Sequence, residues 1–128
     1  MYERQEEAIR VMIVDDHAIL RMGLKIFLES VDDMQVVGEA ANGQEALDLC
    51  QRLHPDVIIM DLAMPVMDGM TAMTIILRKH PHTHVIILTS TFSDERESEA
   101  LKAGASRYLR KNIPADTLAN AIREAAVD

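Results

Sequence analysis

The stretch VIIMDLAMPVMDGM, residues 57–70, joins an apolar run to an acid and then to a turn. Residues 56–61 contain a block of β-branched and other apolar side chains, which is typical of a strand covered on both faces. Asp61 ends this block, and Asp68 with Gly69 forms a turn signal further along. A carboxylate at the tip of a buried strand loses hydration, so it needs a partner. The stretch therefore predicts a buried parallel strand with a functional site at its carboxyl end.

The rest of the chain repeats this alternation of strand and helix. The predicted strands are residues 10–15, 34–40, 56–61, 84–89 and 106–111, and the predicted helices are residues 17–30, 42–53, 70–80, 93–103 and 114–127. Strands that alternate with helices indicate a parallel sheet with helices on both of its faces. Because crossovers in such sheets are right-handed, few topologies remain. We expect an α/β, doubly wound, flavodoxin-like (βα)5 domain with strand order 2-1-3-4-5.

Length and charge restrict the class of protein. A chain of 128 residues favours one domain, and we expect residues 9–128 to form it after an N-terminal extension at residues 1–8. The formal charge of −8 argues against direct binding of nucleic acid or anionic lipid. The longest apolar run is too short to span a membrane. The single cysteine, Cys50, allows no internal disulfide, so we expect a cytoplasmic protein.

Chemically active side chains follow four of the five predicted strands. They are Asp15 and Asp16 after the first strand, Asp61 after the third, Thr89 at the end of the fourth and Lys111 at the end of the fifth. The carboxyl ends of parallel strands share one edge, and ligands bind there at the point where the strand order reverses. Because strands 1 and 3 are neighbours in the expected order, we expect the three carboxylates to meet at this point.

Three carboxylates in one cleft would repel each other by roughly 3 kcal/mol per pair at a separation of ~6 Å and an effective dielectric constant of about 20. Either a carboxylate takes up a proton or a cation binds, and oxygen ligands suit Mg²⁺. Asp61 could then attack phosphorus and form an aspartyl-phosphate, with Thr89 and Lys111 contacting the phosphoryl oxygens. Each residue alone also has an ordinary interpretation as a helix cap, a turn, a strand end or a solvated lysine.

Four motifs then point to a known family. They are VDDH at 14–17, DLAMPVMDG at 61–69, ILTS at 87–90 and AGASRYLRK at 103–111. In this order and at this spacing they resemble the receiver (phosphoacceptor) domain of two-component response regulators, and the resemblance covers about residues 9–127. It implies a signalling switch that catalyses only its own phosphorylation and dephosphorylation, with a sensor histidine kinase as the phosphoryl donor.

The resemblance also implies a role for each matching residue in the metal site. Asp61 is the phosphoacceptor, Asp16 binds Mg²⁺ directly, and Asp15 binds it mainly through water. Asp61 and the backbone carbonyl of Ala63 complete the expected set of metal ligands.

The resemblance implies a second group of residues that contact the phosphoryl group or respond to it. Thr89 and Lys111 contact the phosphoryl group. Thr89 and Tyr108 form the switch, in which the tyrosine turns inward when the threonine moves toward the phosphate. Two residues depart from the family pattern: Arg107 replaces a glycine that commonly precedes the tyrosine, and Asn112 replaces a proline that commonly follows the lysine.

Three further segments indicate a subclass. DDHAILRMGL at 15–24, VVGEAANGQEAL at 36–47 and AIREA at 121–125 are most similar to the NarL/FixJ subclass with a LuxR-type output domain. This implies a transcriptional regulator that binds DNA through a helix-turn-helix domain absent from this chain, and a homodimer that depends on phosphorylation. We expect the chain to be part of such a regulator; the alternative is a stand-alone receiver that acts by protein–protein contact.

Two other functions use related residues. A Mg²⁺-dependent phosphatase with an aspartyl-phosphate intermediate generally needs a second acid beside the nucleophile, and the residue two positions after Asp61 is Ala63. A flavodoxin-like nucleotide binder needs a loop that cradles phosphate after the first strand, and DDHAIL is acidic and lacks glycine. Both rank below the receiver.

Two weaker features concern helix 93–103 and the segment HPHTH at 80–84. The helix has only Ala100, Leu101 and Ala103 as clear core contacts, so we expect it to be lightly anchored. His80, His82 and His84 alternate and could bind a metal, but a polar connection between a helix and a strand is the favoured interpretation.

Overall fold

The computed structural model describes residues 8–127 and consists of five strands that alternate with five helices. The strands are β1 (Ile9–Val14), β2 (Met34–Ala40), β3 (Val57–Met60), β4 (His84–Thr89) and β5 (Arg107–Arg110). The helices are α1 (Ala18–Glu29), α2 (Gly43–Leu53), α3 (Gly69–Lys79), α4 (Asp94–Lys102) and α5 (Ala115–Ala126). Every predicted element is present, and its ends shift by no more than a few residues. The predicted extension at residues 1–8 lies, except for Ala8, outside the described residues.

The sheet is parallel and has the order β2-β1-β3-β4-β5, which confirms the expected topology. Strand β1 is central to the site because it pairs with β2 on one side and with β3 on the other. The pairing of Val14 with Met60 brings the ends of β1 and β3 to the same level. Residues that directly follow these two strands are therefore neighbours.

Apolar side chains cover both faces of the sheet. All four residues of β3 are buried, as the continuous apolar run predicts. One core cluster joins the sheet to α2, α3 and α4, and the other joins it to α1 and α5. Cys50 is buried in the first cluster, which agrees with a packing role.

Local hydrogen bonds explain where several helices begin. The side chain of Asn42 accepts from the backbone N–H of Glu45 at the start of α2, and Ser93 accepts from Arg96 at the start of α4. Asp68 does the same for α3 by accepting from Thr71. These caps fix the starts of α2, α3 and α4.

One expectation about apolar side chains is wrong. In α4 only Ala100 is buried, whereas Leu101 is 44% exposed and Ala103 is also exposed. The helix lies over the sheet through one narrow contact, so it is anchored even more lightly than its sequence predicts. On α1 one of the two apolar rows points to solvent, and it consists of Ile19, Met22 and Ile26.

Among residues 8–127, no helix has the length and apolar composition needed to cross a membrane. The segment at 80–84 connects α3 to β4, as expected for a polar connection. His80 packs edge-on against His54, with ring centres 5.6 Å apart. Within the described residues, His80, His82 and His84 do not converge into a group that could share a metal ion.

Candidate functional site

Two acids occupy fixed positions because the backbone of the sheet extends just beyond the strands. The N–H of Asp61 donates to the carbonyl of Val14 at 2.9 Å, and the N–H of Asp15 donates to the carbonyl of Ala40 at 3.0 Å. Both acids are only 3% exposed. Asp61 Oδ1 also accepts from the N–H of the next residue, Leu62, at 2.8 Å, which orients the carboxylate.

The predicted carboxylates meet at the switch point between β1 and β3. Asp15, Asp16 and Asp61 each have an oxygen, and His17 has a ring nitrogen, within 4.8 Å of the others. In residues 8–127 this is the one such group of three or more potential metal ligands. Asp16 and His17 are exposed, so the group is open to solvent on one side.

Lys111 bridges the two buried acids. Its Nζ lies 2.8 Å from Asp15 Oδ2 and 3.2 Å from Asp61 Oδ2. Burial alone would lower the pKa of Lys111, but the hydrogen bonds and charges of the two acids outweigh burial and raise this pKa above its usual value. The lysine therefore remains an ammonium ion between two carboxylates.

Asp61 is electrostatically crowded. Burial is the main cause that raises its pKa above the usual value for aspartate, and the charge of Asp15 raises it further. Lys111 and the N–H of Leu62 act in the opposite direction without cancelling these effects. An additional positive charge beside Asp61 would therefore be favourable.

The donor set suits a hard divalent cation. Three carboxylates face one ammonium group, so the site carries excess negative charge in a partly buried position. Carboxylate oxygens with open positions for water are the ligands that Mg²⁺ prefers. Asp15, Asp16 and Asp61 fit this requirement, and Ala63 lies in the exposed loop that starts from Asp61.

Thr89 lies at the end of β4, the strand between β3 and β5. Thr89 is buried, and its Oγ1 accepts from the N–H of Thr91 at 3.2 Å and lies 3.3 Å from the Thr91 hydroxyl. The N–H of Lys111 donates to the carbonyl of Thr89 at 2.9 Å, which aligns the ends of β4 and β5. Both side chains line a cavity of about 200 Å³. Thr89 and Lys111 are therefore neighbours at the carboxyl edge of the sheet.

Tyr108 is buried in an aromatic contact next to this cavity. Its hydroxyl lies 3.4 Å from the carbonyl of Thr91, and its ring packs edge-on against Phe92 at 5.0 Å. The guanidinium of Arg110 lies 4.2 Å from the centre of the Phe92 ring. The loop after Thr89 is therefore attached to β5 by aromatic and cation–π contacts.

The two departures from the family pattern leave the strand intact. Arg107 pairs with Ile86 in the sheet, and its Nη2 lies 2.7 Å from Glu124 Oε1 on α5. Asn112 lines the same cavity as Thr89.

Sequence reasoning missed three residues, two of which lie beside the acids and one beside Thr89. The first is His17, whose Nδ1 lies 2.8 Å from Asp15 Oδ1. The second is Arg21, which donates to the backbone carbonyl of Asp15 and lies 3.4 Å from Glu39. Thr91 is the third. Only His17 carries a signal in the sequence, because it directly follows the acid pair.

The loop after Asp61 turns sharply and then closes on its own start. Val66 has a positive φ of 68°, and the N–H of Met67 donates to the carbonyl of Pro65 at 2.7 Å, which closes a γ-turn. Gly69 packs so closely that a Cβ atom there would lie 2.1 Å from the carbonyl oxygen of Asp61. The loop therefore needs glycine at this position for a steric reason.

The fold and the site define a class of protein. A doubly wound sheet of order 2-1-3-4-5 carries acids at its switch point and a hydroxyl and a lysine at the ends of the next two strands, which suits a domain that holds a cation and a small anionic group together. The chain belongs to the response regulator receiver domain family, whose model matches residues 11–123.

Individual relatives agree with this assignment. The transcriptional regulatory protein LiaR of Bacillus subtilis is 45% identical over 118 residues, which are 92% of this chain and 56% of that protein. The response regulator protein VraR of Staphylococcus aureus is 41% identical over 116 residues, which are 91% of this chain and 56% of that protein. The chain therefore spans about half the length of these curated relatives.

Solved structures confirm the fold. The receiver domain of the response regulator NarL from Mycobacterium tuberculosis has a TM-score of 0.90 at 30% identity, with 94% of this chain and 98% of that chain covered. The response regulator domain of Thermotoga maritima CheB has a TM-score of 0.88 at 38% identity, with the same coverage of both chains.

Proposed function

We propose that this chain is a phosphorylation switch in which Asp61 accepts a phosphoryl group from a sensor histidine kinase in the presence of Mg²⁺. The observation that carries the proposal is the placement of the Asp61 carboxylate. It is buried at the tip of β3, 3.2 Å from Lys111 and among the acids of β1. A carboxylate in this position can act as a nucleophile. The neighbouring ammonium group and a cation held by the acids would balance the negative charge of the transferred group.

The proposed transfer forms one bond to phosphorus and breaks another. A carboxylate oxygen of Asp61 forms a bond to phosphorus while the bond from phosphorus to the donor's imidazole nitrogen breaks, and that nitrogen keeps the electron pair. Lys111 and Thr89 line one cavity, so the ammonium and the hydroxyl can contact different oxygens of the transferred group. Asp15, Asp16, Asp61 and the carbonyl of Ala63 would hold Mg²⁺, which neutralises charge that develops on the phosphoryl oxygens.

The same geometry suggests how phosphorylation of Asp61 would change the loop before α4. Thr91 is the hydrogen-bond partner of Thr89, and its carbonyl lies 3.4 Å from the Tyr108 hydroxyl. A Thr89 hydroxyl that turns toward a phosphoryl group releases Thr91 and loosens the loop before α4. Since α4 buries only Ala100, the conformation with the loosened loop lies at only slightly higher free energy. Phosphorylation would then increase the population of that conformation.

The donor needs a surface beside Asp61, and α1 offers one. Ile19, Met22 and Ile26 are exposed on α1, and Ile19 lines a largely apolar groove of about 330 Å³ that reaches Lys111 between α1 and the start of α5. Exposed apolar surface next to a reactive group is typical of a protein contact. We place the kinase there.

The relatives suggest the larger context. LiaR is a transcriptional regulatory protein and is about twice as long as the matched region, so we propose that this domain controls a helix-turn-helix output domain through a homodimer that depends on phosphorylation. The negative charge of the chain argues against DNA contact by the receiver itself. We assign the protein to the cytoplasm, where the kinase domain and DNA are accessible.

Intact-mass measurement after incubation with Mg²⁺ and acetyl phosphate tests the proposal. Wild type and Asp68→Asn are expected to gain one phosphate, and Asp61→Asn is expected to gain none. Asp68 is the matched control because it is an acid of the same loop whose capping role asparagine preserves. Equal labelling of Asp61→Asn and wild type would remove Asp61 from its role. Sustained turnover of a chromogenic phosphate ester would indicate a phosphatase instead.

A further inference from the structure

His17 lies beside the acid cluster, and the proposed function gives it no role. It is the N-cap residue of α1, but its side chain makes no capping hydrogen bond. The ring Nδ1 lies instead 2.8 Å from Asp15 Oδ1, 3.4 Å from Asp16 Oδ1 and 3.4 Å from Lys111 Nζ. All three contacts of this nitrogen are therefore with groups of the site.

We propose that His17 is an additional ligand of this metal site and makes the site selective for transition-metal ions such as Ni²⁺ over Mg²⁺. The proposal rests on the cation site of the proposed function and adds a residue and a metal preference to it. The reason is the chemistry of the donor. Imidazole nitrogen suits Ni²⁺, Zn²⁺ and Cu²⁺, whereas Mg²⁺ prefers oxygen and gains little from a nitrogen ligand.

The geometry allows the ring to reach a shared ion. The ligand atoms of His17 and the three acids already lie within 4.8 Å of one another, so one cation can contact all four after small adjustments. The ring is 63% exposed, so it can rotate without loss of core packing. The backbone N–H of His17 also donates to Asp15 Oδ1 at 2.9 Å, which holds the residue beside the acid.

The proposal predicts a change in selectivity rather than a general loss of binding. A residue that merely orients Asp15 would support every cation alike. A nitrogen ligand supports Ni²⁺ much more than Mg²⁺. The informative quantity is therefore the ratio of the Ni²⁺ affinity to the Mg²⁺ affinity.

Isothermal titration calorimetry of the full chain with each ion measures this ratio. We expect it to fall by at least about tenfold in His17→Asn and to stay within about threefold of wild type in His82→Asn. His82 is a matched control because it is an exposed histidine away from the acids. Titration of Ni²⁺ in excess Mg²⁺ identifies the relevant site, since only Ni²⁺ bound at the shared site is displaced.

Two results would overturn the proposal. One is an unchanged ratio in His17→Asn, whether neither affinity falls or both fall equally. The other is the absence, in wild type, of any component of Ni²⁺ binding that Mg²⁺ displaces. Asparagine is a favourable N-cap, so α1 should form in the variant, and His17→Ser gives a second variant with the same advantage. Phosphorylation of wild type with Mg²⁺ alone separates the two claims. Wild type that gains phosphate while the ratio is unchanged contradicts only the role of His17.

Discussion

Helices α3 and α4 flank the same site and differ sharply in how they are held. Helix α3 buries four residues, which are Gly69, Ala72, Met73 and Ile76, whereas α4 buries Ala100 alone. The loop before α3 starts from Asp61 and is closed by a backbone hydrogen bond from Gly69 to Leu62 at 2.9 Å. The loop before α4 starts from Thr89 and is attached mainly through Phe92. The loop that follows Asp61 is therefore held by a well-packed helix, and the loop that follows Thr89 leads into a lightly packed one.

This difference has a physical consequence for dynamics. Regions with few buried apolar contacts open locally at a lower free energy than the core. In the proposed function, Asp61 must keep its geometry for the transfer, whereas the loop before α4 must move when the phosphoryl group arrives. Substitutions in the two regions should therefore affect stability and motion to different extents.

The largest contrast is expected between Ile76→Ala in α3 and Leu101→Ala in α4. Ile76 is 1% exposed, so its truncation leaves a cavity and should cost about 3 kcal/mol of unfolding free energy. Leu101 is 44% exposed, so its truncation should change the unfolding free energy by less than about 0.5 kcal/mol. Urea denaturation measures both. Equal costs would mean that α4 is anchored as firmly as α3.

Gly69→Ala should destabilise the rigid region by about 2 kcal/mol, because the new Cβ meets the carbonyl oxygen of Asp61 at 2.1 Å. Gly23→Ala is the control. No atom lies within 4 Å of a Cβ built at Gly23 on α1, and alanine there should stabilise the helix by up to about 1 kcal/mol. Thermal unfolding of both variants checks the opposite signs. A tolerated alanine at Gly69 would show that the loop is loose.

Asp61→Asn should stabilise the domain in a pH-dependent way. The folded-state pKa of Asp61 is raised, so its contribution to stability is fully present below the ordinary aspartate pKa of about 4 and is lost as pH rises through the raised value. Asparagine avoids this loss. We expect a gain of about 1 kcal/mol near pH 7 and almost none near pH 3, measured by urea denaturation at both values. A gain that is the same at both pH values would contradict the raised pKa of Asp61.

The smallest effect concerns the contact of Arg110 with Phe92, which attaches the loop before α4 to β5. Arg110→Gln removes the cation that lies 4.2 Å from the centre of the Phe92 ring and should cost about 0.5 kcal/mol. Amide hydrogen exchange should accelerate in α4 and leave α3 unchanged. The control Lys102→Gln changes an exposed charge on α4 itself. Faster exchange in both variants would assign the effect to surface charge.

Much of this organisation could be predicted from the sequence. Periodicity and turn signals gave the ten elements, and the parallel topology then placed Asp15, Asp61 and Lys111 at one edge, because that placement depends only on strand order. The structure adds the distances that join Lys111 to both acids. The predicted metal and phosphoryl contacts of these residues remain predictions for the experiments above.

Other features depend on packing that local patterns do not encode. Helix α1 has two apolar rows, and only the assembled sheet decides which one is covered, so the exposure of Ile19 could not be predicted. Leu101 looks like a core residue in the sequence, and only the structure shows that Ala100 is the one buried residue of α4. The roles of His17 and Arg21 depend on the directions of their side chains around Asp15, which the sequence does not give.

The most direct test of the central claim locates the phosphoryl group itself. The protein is phosphorylated with Mg²⁺ and acetyl phosphate and treated with borohydride, which reduces an aspartyl-phosphate to homoserine. Peptide mass spectrometry then identifies the converted residue. We predict conversion at Asp61, in the peptide that spans the end of β3. Conversion at Asp15 or Asp16, or a phosphate that resists borohydride on a serine or threonine, would contradict the account.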